Sequence, residues 1–283
     1  MKLKIFVAVL AVVVAWFAGR QFYRVAGQNA VVDGGDAQTV AENVKAGEQV
    51  VNDSLALDPG ARVEVSGING PVDIMMTDGN VAEIHVENNV SDARELDSHK
   101  ITIDRAANRI IIRAEHKNDG GMGLLRWLIG RGGKGATVRQ RVVLKVPRKV
   151  DVAARAINGA VHVGELDGAV RVSAINGEVT VARAAGRADF SGINGNLTFA
   201  VARLEDEGVR VSGVNGNIEL RLDADANADV SVGGLNGSVD YDLKNVTVED
   251  GGENLSRFSA RIGAGGAPIR MSGISGNIHL AGA

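Results

Sequence analysis

The sequence predicts an all-β chain: a β-solenoid, in the form of a right-handed β-helix or β-roll, with an N-terminal capping sheet. Three observations carry that expectation. A short pattern recurs along the 283 residues, reading SGINGPVDI at Asn69, ARAINGAVHV at Asn158, SAINGEVTV at Asn176, SGINGNLTF at Asn194, SGVNGNIEL at Asn215, GGLNGSVDY at Asn236 and SGISGNIHL at Ser275. The steps from Asn158 to Asn176 and Asn194 are 18 residues each, and those to Asn215 and Asn236 are 21 each. Apolar and polar residues alternate on both sides of each Asn-Gly pair, the period of a half-buried strand. Self-similarity at a fixed period marks a repeat architecture.

One copy shows the local logic. Val170 and Val172 flank Arg171, Ile175 is a further inward residue, and Val179 and Val181 resume the alternation after Asn176-Gly177. Asn and Gly both tolerate positive φ, so the unit reads as strand, tight corner, strand. A hairpin also fits one such unit, but seven in series suit coils that stack. Second breaks at Asp167-Gly168, Ala185-Gly186 and Glu207-Gly208 lie opposite the corner. Apolar residues do not recur every six positions, so the hexapeptide left-handed helix is not indicated. The step of 39 to Ser275 implies a degenerate coil or an insertion.

The recurring pairs Asn69-Gly70, Asn158-Gly159, Asn176-Gly177, Asn194-Gly195, Asn215-Gly216 and Asn236-Gly237 are expected to be structural. Stacked coils bring the same corner into register, and inward Asn amides there can donate to and accept from one another as a ladder. The neighbouring outward slot holds Asp73, His162, Thr180, Thr198, Glu219, Asp240 and His279, with no common chemistry.

The chain opens with Met1-Lys-Leu-Lys4 and an uninterrupted apolar run over residues 5–19. As a helix that run spans about 22 Å, short of the roughly 30 Å hydrocarbon core. Residues 1–27 therefore read as a signal peptide cleaved after Val25-Ala-Gly27, or as an uncleaved anchor with Arg20 snorkelling and Phe22 and Tyr23 at the interface. Either places the repeats outside the cytoplasm: periplasm, cell surface, or membrane-anchored. Residues 28–58 read as a linker, although Asp36 could cap a short helix bearing Val40 and Val44. Residues 59–283 form the repeat domain, with 59–150 as cap and first coil and 151–283 as the Asn-Gly repeats. Strands are expected at 62–64, 81–86, 100–103, 109–113 and 139–146, the last ended by Pro147.

One loop interrupts these strands. Residues 122–135 are apolar, then basic and Gly-rich. Leu125, Trp127 and Leu128 with Arg126, Arg131 and Lys134 fit a tip meeting a membrane surface or partner. The same residues fit a short helix covering the open end of a core. The loop lacks the spacing and the Lys-Ser/Thr of a phosphate-binding P-loop. The repeat then resumes to residue 222, breaks with a polar excursion over 246–253, and re-enters at Ala260.

Composition narrows the function classes. A net charge of −3 gives no electrostatic case for nucleic acid. With no Cys, disulfides, thiol nucleophiles and thiolate metal sites are excluded. Aromatics are only 4%, so Val, Ile, Leu and Ala must fill the core.

The run Arg141-Val-Val-Leu-Lys-Val-Pro147, the Asn-Gly coils, and Gly265-Gly-Ala-Pro-Ile-Arg-Met-Ser-Gly-Ile-Ser-Gly-Asn-Ile278 resemble the bacterial adhesin-like β-strand-repeat family of unknown function. The chain is also similar to the head domain named for its Gly-Ile-Asn motif, which stands here at Gly67-Ile-Asn69 and Gly192-Ile-Asn194. The resemblance covers about residues 55–283, implies an exported right-handed β-helical domain, and supplies no catalytic motif. The loop over 122–135 departs from the pattern.

Some β-helices are polysaccharide lyases or hydrolases, whose sites cluster carboxylates on adjacent coils. Asp189, Glu219 and Asp240 occupy different places in the repeat, and Asp223, Asp225 and Asp229 read as a solvated loop. The five histidines show no paired ligand spacing, and no Ser stands in a nucleophile elbow. The expected function is non-catalytic and without a cofactor: an adhesin-like scaffold for a surface, a polysaccharide or an envelope protein. The alternative is an envelope structural or stress-response module tethered at the inner membrane.

Overall fold

The structure, a computed structural model, describes residues 41–283 except 46, 107, 115–136, 205–206 and 252–255. The signal or anchor segment and the loop residues Leu125, Arg126, Trp127, Leu128 and Arg131 therefore lie outside the described residues.

The described part is all-β apart from one 3-10 turn, Ala93–Ser98. It opens with β1 (Ala41–Lys45), β2 (Glu48–Ala56), β3 (Ala61–Ser66), β4 (Val72–Thr77), β5 (Val81–Val90), β6 (Ile101–Ala106), β7 (Arg109–Ala114) and β8 (Val138–Pro147). The regular repeats follow as β9 (Val150–Asn158), β10 (Val161–Leu166), β11 (Val170–Asn176), β12 (Val179–Ala184), β13 (Ala188–Asn194), β14 (Leu197–Val201), β15 (Val209–Asn215) and β16 (Ile218–Leu222). Six more complete the chain: β17 (Ala228–Asn236), β18 (Val239–Tyr241), β19 (Val246–Asp250), β20 (Arg257–Ile262), β21 (Ala267–Ser275) and β22 (Ile278–Gly282).

These strands form two sheets of 11 strands each. Sheet A runs β1-β2-β5-β8-β4-β10-β12-β14-β16-β22-β18, and sheet B runs β19-β20-β17-β21-β15-β13-β11-β9-β3-β7-β6. Each repeat gives the strand before its Asn-Gly pair to sheet B and the strand after it to sheet A. The hairpin reading of one unit is thereby excluded. β11 pairs in parallel with β9 and β13, and β12 pairs in parallel with β10 and β14. The pairing is in register, so Ile157, Ile175 and Ile193 form one row and Asn158, Asn176 and Asn194 the next.

Alternation decides what is buried. Val170, Val172 and Ile175 from sheet B face Val179, Val181 and Ala184 from sheet A, and all six are buried. The same positions in the next repeat hold Phe190 and Phe199, whose ring centroids lie 4.7 Å apart, tilted by 44°. One hydrophobic cluster runs from Val51 to Leu280.

The structure corrects three sequence expectations. Residues 48–56 are not linker. β2 pairs along its whole length with β5, from Glu48↔Asn89 to Ala56↔Val81, and buries Gln49, Val51 and Asp53. Polar Gln and Asp in the inward positions hid that strand. Second, the step of 39 holds an insertion, as one of the two sequence readings has it, and also a change of strand order that neither foresees. The chain passes through β17 and β18, returns through the antiparallel β19 and β20, and then inserts β21 and β22 between the earlier repeats. β21 lies parallel between β15 and β17, and β22 lies parallel between β16 and β18.

Third, Asn is not the residue with positive φ. That conformation falls two residues earlier, at Ala156, Ala174, Gly192, Gly213, Gly234 and Gly273, with φ between 54° and 62°. It falls again at the Gly after Asn, with φ of 156° at Gly177, 152° at Gly195 and 152° at Gly216. The two positions differ in kind. A Cβ on Gly213 would meet nothing nearer than 3.7 Å, and Ala174 already fills the equivalent place. A Cβ on Gly195 would fall well inside 3.0 Å of the Gly177 carbonyl oxygen, and Gly177, Gly216 and Gly276 face the same barrier from the repeat beside them. Gly213→Ala is therefore expected to cost about 1 kcal/mol, the ordinary penalty of a left-handed L-residue. Gly195→Ala should cost about 3 kcal/mol or more, because backbone must move. Urea unfolding of the two variants tests the difference, and equal losses would refute it.

Candidate functional site

The outer faces of the two sheets carry the exposed chemistry, and parallel register sorts it into rows. Strands in one sheet lie roughly 4.8 Å apart, so equivalent residues of successive repeats are neighbours.

The first row is the Asn row at the end of the sheet B strands. Asn158 Nδ2 donates to Asn69 Oδ1 at 2.9 Å, Asn176 to Asn158 at 2.9 Å, Asn194 to Asn176 at 3.0 Å, and Asn215 to Asn194 at 3.1 Å. Asn158, Asn176, Asn194 and Asn215 are exposed rather than inward. The preceding Ile157, Ile175, Ile193 and Val214 take the buried place, and alternation turns the next residue outward. Register continues from Asn215 to Ser275 to Asn236. Ser275 has no amide, and among the described residues no side-chain bond crosses it.

The amides reach further inward at the other end, through residues that sequence reasoning missed. Asn69 N donates to Gln140 Oε1 at 2.7 Å, Gln140 Nε2 to Asn88 Oδ1 at 3.3 Å, and Asn88 Nδ2 to Gln49 Oε1 at 3.3 Å. Gln49 closes on the Ile101 backbone, donating at 2.9 Å and accepting at 3.0 Å. Gln49, Asn88 and Gln140 are 1%, 0% and 3% exposed. Their signal in the sequence is weak, because each replaces one apolar residue in an otherwise alternating strand. A second row lies on the sheet A side of the corner. Asn217 N donates to Asn196 Oδ1, Asn277 N to Asn217 Oδ1, and Ser238 N to Asn277 Oδ1, at 3.0, 3.0 and 3.2 Å.

The slot of Asp73, His162, Thr180, Thr198, Glu219, His279 and Asp240 is one row across sheet A. Its polar end is built by β4, β8 and β10. Asp73 accepts from Arg141 at 3.2 Å and bonds His162 Nδ1 at 3.1 Å. Burial pushes the Asp73 carboxyl up, but His162 and Arg141 together outweigh it and hold the group below its ordinary value. The hydrogen bond to Asp73 raises His162, against burial, with the charges of Asp73 and Glu178 adding to it. The pair is a local ion pair, and among the described residues no hydrogen bond joins it to the neighbouring Thr180 hydroxyl.

On sheet B the outer rows are charged and hydroxylic, buried at Glu64 and Ala153 and half-buried or exposed from Arg171 onward. One runs Glu64, Ala153, Arg171, Asp189, Arg210, Arg270 and Ser231; the next runs Ser66, Arg155, Ser173, Ser191, Ser212, Ser272 and Gly233. Most of the acids there are engaged. Glu64 pairs with Arg62 and Arg155, and Asp189 lies 3.5 Å from Arg187 and 3.9 Å from Arg171. A shallow cleft of about 90 Å³ lies among Arg62, Asp151, Arg171, Arg187 and Asp189. Asp223, Asp225 and Asp229 do not converge: Asp223 pairs with Arg183, and Asp229 with Arg261. Among the described residues no group of three His, Asp or Glu could hold a metal, and no helix is long and apolar enough to cross a membrane.

No family model and no curated protein matches the sequence. Solved structures do. One is described as a "putative cell adhesion protein" from Clostridium sporogenes, at 10% identity and TM-score 0.42, covering 82% of this chain and 99% of its own. Two described as a "putative adhesin" come from Bacteroides fragilis and Parabacteroides distasonis. The first has 8% identity and TM-score 0.27, with coverage of 84% and 100%; the second has 11% and 0.30, with 83% and 97%. Their names match the adhesin-like class that the repeats resemble. At TM-scores below 0.5 the likeness carries no argument about what this chain binds.

Two predictions follow from the bonded rows. Gln140→Ala leaves buried amides unpaired and should lower stability by about 1–3 kcal/mol, whereas exposed Asn176→Ala should cost about 1 kcal/mol or less. Chemical denaturation of both variants decides it. The His162–Asp73 pair sets a pH window. With His162 raised above 6.5, its contribution is complete below that pH and is lost as pH rises through the folded value. With Asp73 lowered below 3.8, its contribution is complete above that pH and is lost as pH falls through the folded value. Wild type should therefore lose stability relative to His162→Gln on going from pH 6 to about pH 9; parallel pH profiles would refute the pair.

Proposed function

We propose that this chain is a non-catalytic, exported β-solenoid that presents its outer faces as a binding scaffold, as the adhesin-like reading of its repeats suggests. The single observation that supports this best is the register. Parallel pairing from β9 to β16 and on to β22 turns side chains from different repeats into continuous rows, which a surface or polymer can meet at many regularly spaced points. Multiple weak contacts of that kind add through effective concentration rather than through one deep pocket. The right-handed coil and the capping role of β1, β2, β5 and β6 belong to the same proposal.

Export rests on Met1–Lys4 and the apolar run over residues 5–19. The proposal is tested by fractionating cells that make the full chain and reading its N-terminus by mass spectrometry. A chain beginning near Gln28 in a soluble extracytoplasmic or surface fraction is the expected result. An intact Met1 in the inner-membrane fraction would replace the scaffold with the tethered module. Recovery in the cytoplasm would overturn export altogether.

A further inference from the structure

We infer that the outer face of sheet B around Arg210 and Arg270 is a binding site for an acidic polysaccharide. The inference rests on the scaffold reading above and names its ligand class.

Arg210 and Arg270 are exposed, on adjacent parallel strands, and directly in register. Like charges side by side in a sheet repel. Neither arginine has a hydrogen bond or an ion pair among the described residues. The acid beside Arg210 in the row is Asp189, which already serves Arg187 and Arg171. Asp229, on the strand beyond Arg270, serves Arg261. Two guanidinium forks therefore stand side by side with their carboxylate-matching geometry unused.

The neighbouring row adds the second chemistry. Ser212 and Ser272 lie two residues beyond the arginines on the same face, continuing the row from Ser173 and Ser191. A hydroxyl both donates and accepts, which suits sugar hydroxyls. Carboxylates for the arginines and hydroxyls for the serines define a uronate-bearing polymer. The ligand must lie along the face, because the cleft beside Arg171 and Arg187, about 90 Å³, is far smaller than the several hundred Å³ of an ordinary ligand pocket. Nucleic acid fits less well. The face has no aromatic side chain in these rows to stack a base, two free cations neutralise few phosphates, and the chain carries −3 overall.

The test is titration of the full chain with polygalacturonate, dextran, single-stranded DNA and monomeric galacturonate. Polygalacturonate should bind and weaken with salt, while dextran and the monomer should not bind measurably. Arg210→Gln with Arg270→Gln should weaken polygalacturonate binding about tenfold, and Ser212→Ala with Ser272→Ala about threefold. Arg183→Gln, on sheet A, should change nothing. Because all four residues are on the outer face, the variants should keep the thermal midpoint, which separates lost binding from lost folding. Absence of polygalacturonate binding, or equal binding by the double arginine variant, overturns the site. DNA bound as tightly, with the same loss, overturns the glycan assignment. These results stand apart from fractionation: a cytoplasmic chain that binds polygalacturonate loses the exported scaffold and keeps the site.

Discussion

The contact on which the rest depends is backbone against backbone at the corner. Gly177, Gly195, Gly216 and Gly276 each lie so close to the glycine carbonyl of the repeat beside them that no Cβ fits. Their N–H groups donate to the next Asn or Ser carbonyl, for example Gly177 to Asn194 at 3.0 Å and Gly216 to Ser275 at 2.9 Å. The glycines thus form a backbone-to-backbone hydrogen-bonded column, flanked on both sides by the bonded Asn rows. That closeness holds both flanking strands in register, and register creates every row on the outer faces.

Inside and outside obey different rules in consequence. Inward positions must fill a fixed gap between two sheets, and Val, Ile, Leu and Ala fill it with only Phe190 and Phe199 as large exceptions among the regular repeats. Outward positions are free of that limit. The same slot runs from Asp73 through Thr180 to Glu219, and another from Arg171 through Asp189 to Arg210. A fold of this kind keeps its geometry while its surface is rewritten repeat by repeat.

How much was legible in the sequence follows from that division. The alternation around Val170–Val181 and the Asn-Gly recurrence carry the strand positions and the inward residues, because both are local. Three things were not legible. The Asn side chains share a face with Arg171 and Ser173 only after the kink at Ala174 resets the alternation, and a φ of 54° at an alanine leaves no trace in sequence. β2 was hidden because Gln49 and Asp53 are buried for partners far along the chain: Ile101 and Asn88 for one, Arg105 for the other. Arg210 and Arg270 look like ordinary alternating charges 60 residues apart until β21 is set beside β15.

That insertion also governs when the molecule can be finished. β21 and β22 enter between strands made earlier, matching Ile269 to Val209 on one side and Val230 on the other. Until residues 267–282 emerge, β15 and β17 in one sheet and β16 and β18 in the other lack their shared neighbour. Four unpaired edges of that kind invite aggregation and protease attack. A chain cut short before residue 267 would therefore carry its weakness inside each sheet rather than at the missing end.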